Sequence, residues 1–97
     1  MSRRFYIASY DVADDQRRNR VSKVMEDFGD RVQFSVFCCQ LSPRERIQLM
    51  ERLREVLHHE EDQVLLVDAG AVSGPDPEPE LAYVGRVWKP SPRAQVL

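Results

Sequence analysis

Two helical stripes, each set between β-favouring runs, constrain this chain more than any other feature. In residues 15–28, Val21, Val24, Met25 and Phe28 recur at i, i+3, i+4 and i+7, the spacing of a single helix face. Asp14 or Asp15 is placed to cap the start, where exposed N–H groups favour a carboxylate, and Gly29 reads as the stop. The second stripe is Ile47, Leu49, Met50, Leu53, Val56 and Leu57. It opens on Ser42-Pro43-Arg44-Glu45, a capping box with proline at the first helical position, and should end near His58-His59.

The runs around these helices read as strands. Residues 4–10 are apolar or β-favouring on both faces, which suits a central, covered strand. Residues 31–41 exceed the usual strand length, and their alternation breaks at Val36-Phe37. A sharp bend or tight hairpin is therefore expected near Ser35-Val36. Residues 63–67 form another buried-type strand, closed by Gly70. The order β-α-β-β-α-β, with short loops and right-handed crossovers, predicts an α+β fold. It is a ferredoxin-like sandwich: one sheet with both helices on one face.

Residues 1–72 make up that core. Residues 73–80 form a Pro-rich linker biased to extended structure. Residues 81–97 add a C-terminal strand, 81–88, and a tail within the same single domain. That strand carries Tyr83, Val84, Val87 and Trp88 and needs a sheet edge, its own or a partner's. A chain of 97 residues buries roughly 60–70% of its unfolded surface, enough to fold alone with little margin, so dimerisation is a natural supplement. No run approaches the ~20 apolar residues of a membrane span, and the start has no leader pattern, so a cytoplasmic location is expected. Cys38 and Cys39 are adjacent and lack companions at zinc spacing, so neither a disulfide nor a metal site is expected of them. Adjacent His58 and His59 should point apart and make a poor chelate; a helix-end dipole contact suits them better.

Chemistry gathers in the first third of the chain. Asp11 ends the first strand, where a carboxylate can hold a hard cation such as Mg²⁺. A capping role is the bland reading, but Asp14 and Asp15 lie nearer the helix start. One carboxylate is half of a Mg²⁺ site, so a two-fold dimer bringing two Asp11 together would complete it, with metal or a shared proton relieving their repulsion. The net charge of −2 argues against nucleic acid, yet its distribution does not. Residues 1–31 hold seven basic groups against six acidic; residues 32–72 hold four against seven. Arg17, Arg18 and Arg20, with Arg31 further on, offer forks for phosphate, and a solvated helix face is the competing reading. Phe34 and Phe37 read as core or interface residues.

Tyr10-Asp11-Val12-x-Asp14-Asp15-x-Arg17-Arg18-x-Arg20, followed by Arg31-Val32-Gln33-Phe34-Ser35-Val36-Phe37, resembles the CRISPR-associated protein two family, the small subunit of the spacer-acquisition machinery. The match runs from residue 4 to about 70. The resemblance implies a homodimer with Asp11 of each protomer at the interface as the metal-associated, catalytic residue. It implies Mg²⁺, or Mn²⁺, as cofactor and RNA or DNA as substrate. Tyr10, Arg18, Arg20, Arg31, Ser35 and Phe37 fall on other family positions. Prespacer DNA and an integrase of the CRISPR-associated protein one family are the implied partners. Many relatives carry Glu after Ser-Val-Phe, where this chain has Cys38. Two functions compete: a Mg²⁺-dependent endonuclease, and a non-catalytic adaptor that clamps DNA for the integrase. A ligand-binding regulatory domain ranks below both, because no small-molecule motif is visible.

Overall fold

The computed structural model describes residues 2–75 and 77–87. The order is β1 (Arg4–Asp11), α1 (Asp15–Glu26), β2 (Gly29–Gln33), β3 (Val36–Leu41), α2 (Pro43–Val56) and β4 (Gln63–Ala71). All neighbouring strands are antiparallel, in the order β2-β3-β1-β4. This is the expected ferredoxin-like arrangement, with β1 central.

The register sorts side chains between the two faces. Ala8 lies opposite Phe37 on one side and Leu66 on the other, and Tyr6 opposite Cys39 and Asp68. This face carries the core: Ala8, Tyr10, Phe37, Cys39 and Leu41 pack with Val21, Val24 and Met25 of α1 and Leu49 and Leu53 of α2. On the opposite face the rows are Val36–Ser9–Leu65 and Cys38–Ile7–Val67, with Asp11 beside Gln63 at the end. Leu65 and Val67 are about half exposed there. Leu81, Ala82 and Tyr83 share a cleft with Ile7 and Val36 on this face, and the half-exposed Leu65 and Val67 lead on to Asp11.

Local chemistry sets most boundaries. The Asp14 side chain caps α1 by accepting from the Arg17 N–H at 2.9 Å. Ser42 and Glu45 close the reciprocal capping box of α2. The β2–β3 hairpin turns at Phe34-Ser35. No described non-glycine residue has positive φ, so this two-residue turn lacks the left-handed residues that suit sheet twist. A register shift between Arg31 and Gln33 supplies extra local twist instead.

Three boundaries differ from the sequence reading. Helix α1 stops at Glu26 with Asp27 as its cap, and Gly29 opens β2 rather than ending the helix. Gly29 sits where a Cβ would lie 2.5 Å from the Cys38 carbonyl oxygen and 2.6 Å from the Cys39 sulfur, so strand packing demands glycine there. Gly29→Ala is expected to cost about 1–3 kcal/mol by overpacking, measurable as a lowered urea midpoint. Strand β4 runs through Gly70 to Ala71. Residues 81–87 form no strand within the single chain. Instead Leu81 and Tyr83, with Pro77 and Pro79, line a cleft against Phe5, Val32 and Cys38. A strand needs an edge to pair with, and this segment meets a sheet face. Trp88 and the tail lie outside the described residues.

Candidate functional site

The site forms at the end of the sheet where β1 finishes, the β2–β3 hairpin turns and β4 begins. Asp11 is the last residue of β1 and is exposed. Its carboxylate has no hydrogen-bond or ion-pair partner among the described residues. Alternation places it on the face of Ile7 and Ser9, away from the helices. No group of three or more His, Cys, Asp or Glu side chains is gathered for a metal among the described residues. Asp11 therefore presents one oxygen-donor arm, suited in type to a hard cation and short of a complete ligand set.

Tyr10, one residue earlier, faces the helices and is buried at 6% exposure. Its backbone N–H donates to the Ser35 carbonyl at 3.0 Å, and its hydroxyl donates to the Phe34 carbonyl at 3.4 Å. Arg31 reaches the same carbonyl, the Tyr10 hydroxyl and the Ser22 hydroxyl. Its guanidinium also lies 4.6 Å from the centroid of the Phe37 ring. The structure thus brings Tyr10, Arg31, Ser35 and Phe37 into one network that fixes the hairpin to the end of β1. Phe37 is wholly buried and belongs to the core, as the sequence suggested; Phe34, at the turn, is 70% exposed in the single chain.

The helix arginines differ from one another. Arg18 donates to the Val12 carbonyl at 2.9 Å and pairs with Asp15 at 2.5 Å. Arg20 is exposed and has no partner among the described residues. Arg17 turns toward Asp62: its Nε lies 2.7 Å from one carboxylate oxygen and its Nη2 3.2 Å from the other, with Glu61 also at 3.2 Å. The same carboxylate accepts from the N–H groups of Ala13 at 3.0 Å and His58 at 2.9 Å. Solvent reaches none of the Asp62 side chain. In the sequence Asp62 is the last of three consecutive acids, Glu60-Glu61-Asp62. Its partner Arg17 lies 45 positions away, and no local pattern announces such a pair.

The Arg17 hydrogen bonds, joined by the two N–H groups and opposed by desolvation, hold the Asp62 carboxyl well below the usual carboxylate range. A depressed folded value means that the unfolded chain takes up a proton first as pH falls. The stability from this carboxylate is complete above the unfolded value of about 4 and is lost as pH drops toward the folded value. The gap in urea midpoint between wild type and Asp62→Asn should therefore hold from pH 7 to about pH 5 and narrow below pH 4.

His58 and His59 do not point apart. Helix α2 has already ended, and their rings stack with centroids 5.5 Å apart. The His58 Nδ1 accepts from the N–H groups of Glu60 and Glu61, both at 3.3 Å. Burial, then the neighbouring Cys38 and Asp30, pushes the Cys39 thiol up to about 12. Since the thiolate is the nucleophile, Cys39 should stay unlabelled by iodoacetamide at pH 8 until the chain unfolds. Mass spectrometry should find at most one label on the folded protein, at the half-buried Cys38.

Comparison with known proteins adds independent findings. The sequence model of CRISPR associated protein Cas2 matches residues 4–73. A protein of Geobacter sulfurreducens described as CRISPR-associated endoribonuclease Cas2 is 34% identical over 92 residues, covering 95% of each chain. A Thermus thermophilus protein described as CRISPR-associated endonuclease Cas2 2 is 38% identical over 87 residues, covering 87% of this chain and 97% of that one. Among solved structures, the hypothetical protein TT1823 from Thermus thermophilus superposes with a TM-score of 0.74 at 30% identity, covering 92% of this chain and 99% of that one. No helix among the described residues is long and apolar enough to cross a membrane.

Proposed function

The chain belongs to the CRISPR-associated Cas2 family, and on that footing we propose that it is a homodimeric, Mg²⁺-dependent endonuclease of CRISPR spacer acquisition. It acts on RNA or DNA phosphodiesters and holds prespacer DNA together with a Cas1-family integrase. The observation that carries this reading is the position of Asp11. A carboxylate without a partner among the described residues ends β1 at the rim of a half-exposed apolar strip that includes Leu65 and Val67. A second copy packed on that strip about a two-fold axis covers the apolar surface and supplies the second Asp11 arm. Residues 81–87, which include exposed Val84 and Val87, have a free β4 edge to join on such a partner.

The Asp11 carboxylates would hold the cation, Mg²⁺ or Mn²⁺. When bound, the cation supplies charge screening for the phosphate and a water acidic enough to attack it. The remaining steps belong to the chain itself. Arg20 is free to meet a phosphate oxygen, with Arg18 and Arg31 lending positive charge on either side of the strand end. Tyr10, Ser35 and Phe37 keep the hairpin and the end of β1 in fixed relation.

The scarcity of carboxylates favours a second reading, an adaptor that grips duplex DNA through its backbone without cutting it. The deciding experiment combines sedimentation with cleavage of RNA and DNA oligonucleotides in Mg²⁺ or chelator. A dimer with Mg²⁺-dependent cleavage is expected. A monomer at working concentration would sink the paired site. Spacer integration with the cognate integrase in the absence of any cleavage would establish the adaptor.

A further inference from the structure

The loop that follows Asp11 is tied down at each of its residues. The Val12 carbonyl accepts from Arg18, the Ala13 N–H donates to Asp62, and the Asp14 side chain accepts from the Arg17 N–H. Asp62 itself immediately precedes Gln63, the residue paired with Asp11 across the sheet. The carboxylate of Asp62 therefore sits where β1 and β4 diverge. It joins three parts of the chain: the β1–α1 loop, the first turn of α1 and the turn that follows α2.

We propose that Arg17 and Asp62 are a positioning pair that holds the β1–α1 loop, and with it Asp11, and that Arg17 does not bind phosphate. This rests on the reading of Asp11 as the cation-holding residue. Arg17 uses both Nε and Nη2 on Asp62, and its side chain is about four-fifths shielded. Turning it out to a phosphate would leave a shielded carboxylate without its counter-charge, a strongly unfavourable state. Asp11 has no side-chain partner among the described residues, so its backbone is what orients it. Mg²⁺ requires near-ideal octahedral geometry, and a loose arm would forfeit it.

The test compares Arg17→Gln, Arg17→Lys, Asp62→Asn and the Arg17→Gln/Asp62→Asn double variant with Arg20→Gln. Hydrogen exchange at the Ala13 amide needs no ligand. Either neutralising single variant should speed it at least tenfold, the double variant no further, and Arg17→Lys should fall between. Mn²⁺ binding, read by its paramagnetic resonance at a temperature where all variants are folded, should weaken about tenfold in Asp62→Asn, as for loss of a supporting contact to a ligand. For duplex DNA, the slope of log affinity against log salt should drop by about one in Arg20→Gln and stay unchanged in Arg17→Gln.

Unchanged Ala13 exchange would overturn the pair. So would equal loss of salt slope in the Arg17 and Arg20 variants, or full Mn²⁺ affinity in a loosened Asp62→Asn. Failure of the wild type to bind Mn²⁺ or DNA at all would instead strike the proposed function, with the exchange result still judging the clamp.

Discussion

Asp11→Ala is expected to lower Mg²⁺-dependent cleavage by on the order of a hundredfold or more while leaving the fold intact. The size follows from the role proposed. Loss of supporting contacts alone costs metal sites about 10–100-fold, and Asp11 is the only ligand each protomer is proposed to give. The intact fold follows from the structure. Asp11 is exposed and its carboxylate bonds to nothing among the described residues, so its removal should change stability by no more than about 0.5 kcal/mol. A further sign separates the paired site from a lone surface carboxylate. Two Asp11 side chains facing each other repel without metal, so in chelator the Ala variant should dimerise at least as tightly as wild type. Cleavage and sedimentation on the same preparation read both effects. Equal, metal-independent cleavage by the two proteins would point to a contaminating nuclease.

Phe37→Ala should be the most damaging single truncation among the described residues, at about 3–5 kcal/mol. Domains of this size are held by roughly 5–15 kcal/mol in total, so the variant would be largely unfolded on warming. Phe37 has no exposed surface, packs 6.3 Å from the Tyr10 ring centroid and lies under the Arg31 guanidinium. Its loss opens a cavity and frees Arg31 together. Phe37→Leu keeps most of the volume and should cost markedly less. Thermal melts of the two variants check the order. If both variants melted like wild type yet failed to cleave, Phe37 would belong to the chemistry rather than to the core.

The parts legible in the sequence are those written locally. Ser42, Pro43 and Glu45 announce the start of α2 because a capping box is complete within four residues. The hairpin showed itself through a broken alternation at Val36-Phe37. Asp11 stood out because Asp14 was already available to cap α1, and the structure gives Asp14 that task. Longer-range facts were hidden. Gly29 looked like a helix stop because its actual constraint, contact with Cys38 and Cys39 on the next strand, has no sequence signature nearby. The pairing of Arg17 with Asp62 was hidden because a guanidinium fork suits a phosphate and a carboxylate alike. Residues 81–87 carry strand-like composition, but composition does not say which edge receives them.

The placement of β1 also governs the order in which the molecule can be built. The first strand to be made is the one that ends in the middle, between β3 and β4. Its pairing with β3 joins Arg4 to Leu41, and its pairing with β4 joins Arg4 to Ala71. During synthesis β1 therefore waits, one edge open, until β4 has been made as far as Ala71. Contacts so distant in sequence close slowly, because loop entropy must be overcome before the pairing rewards it. Completion of the sheet, and with it the fixing of Asp11 against Gln63, therefore waits for the last strand, β4.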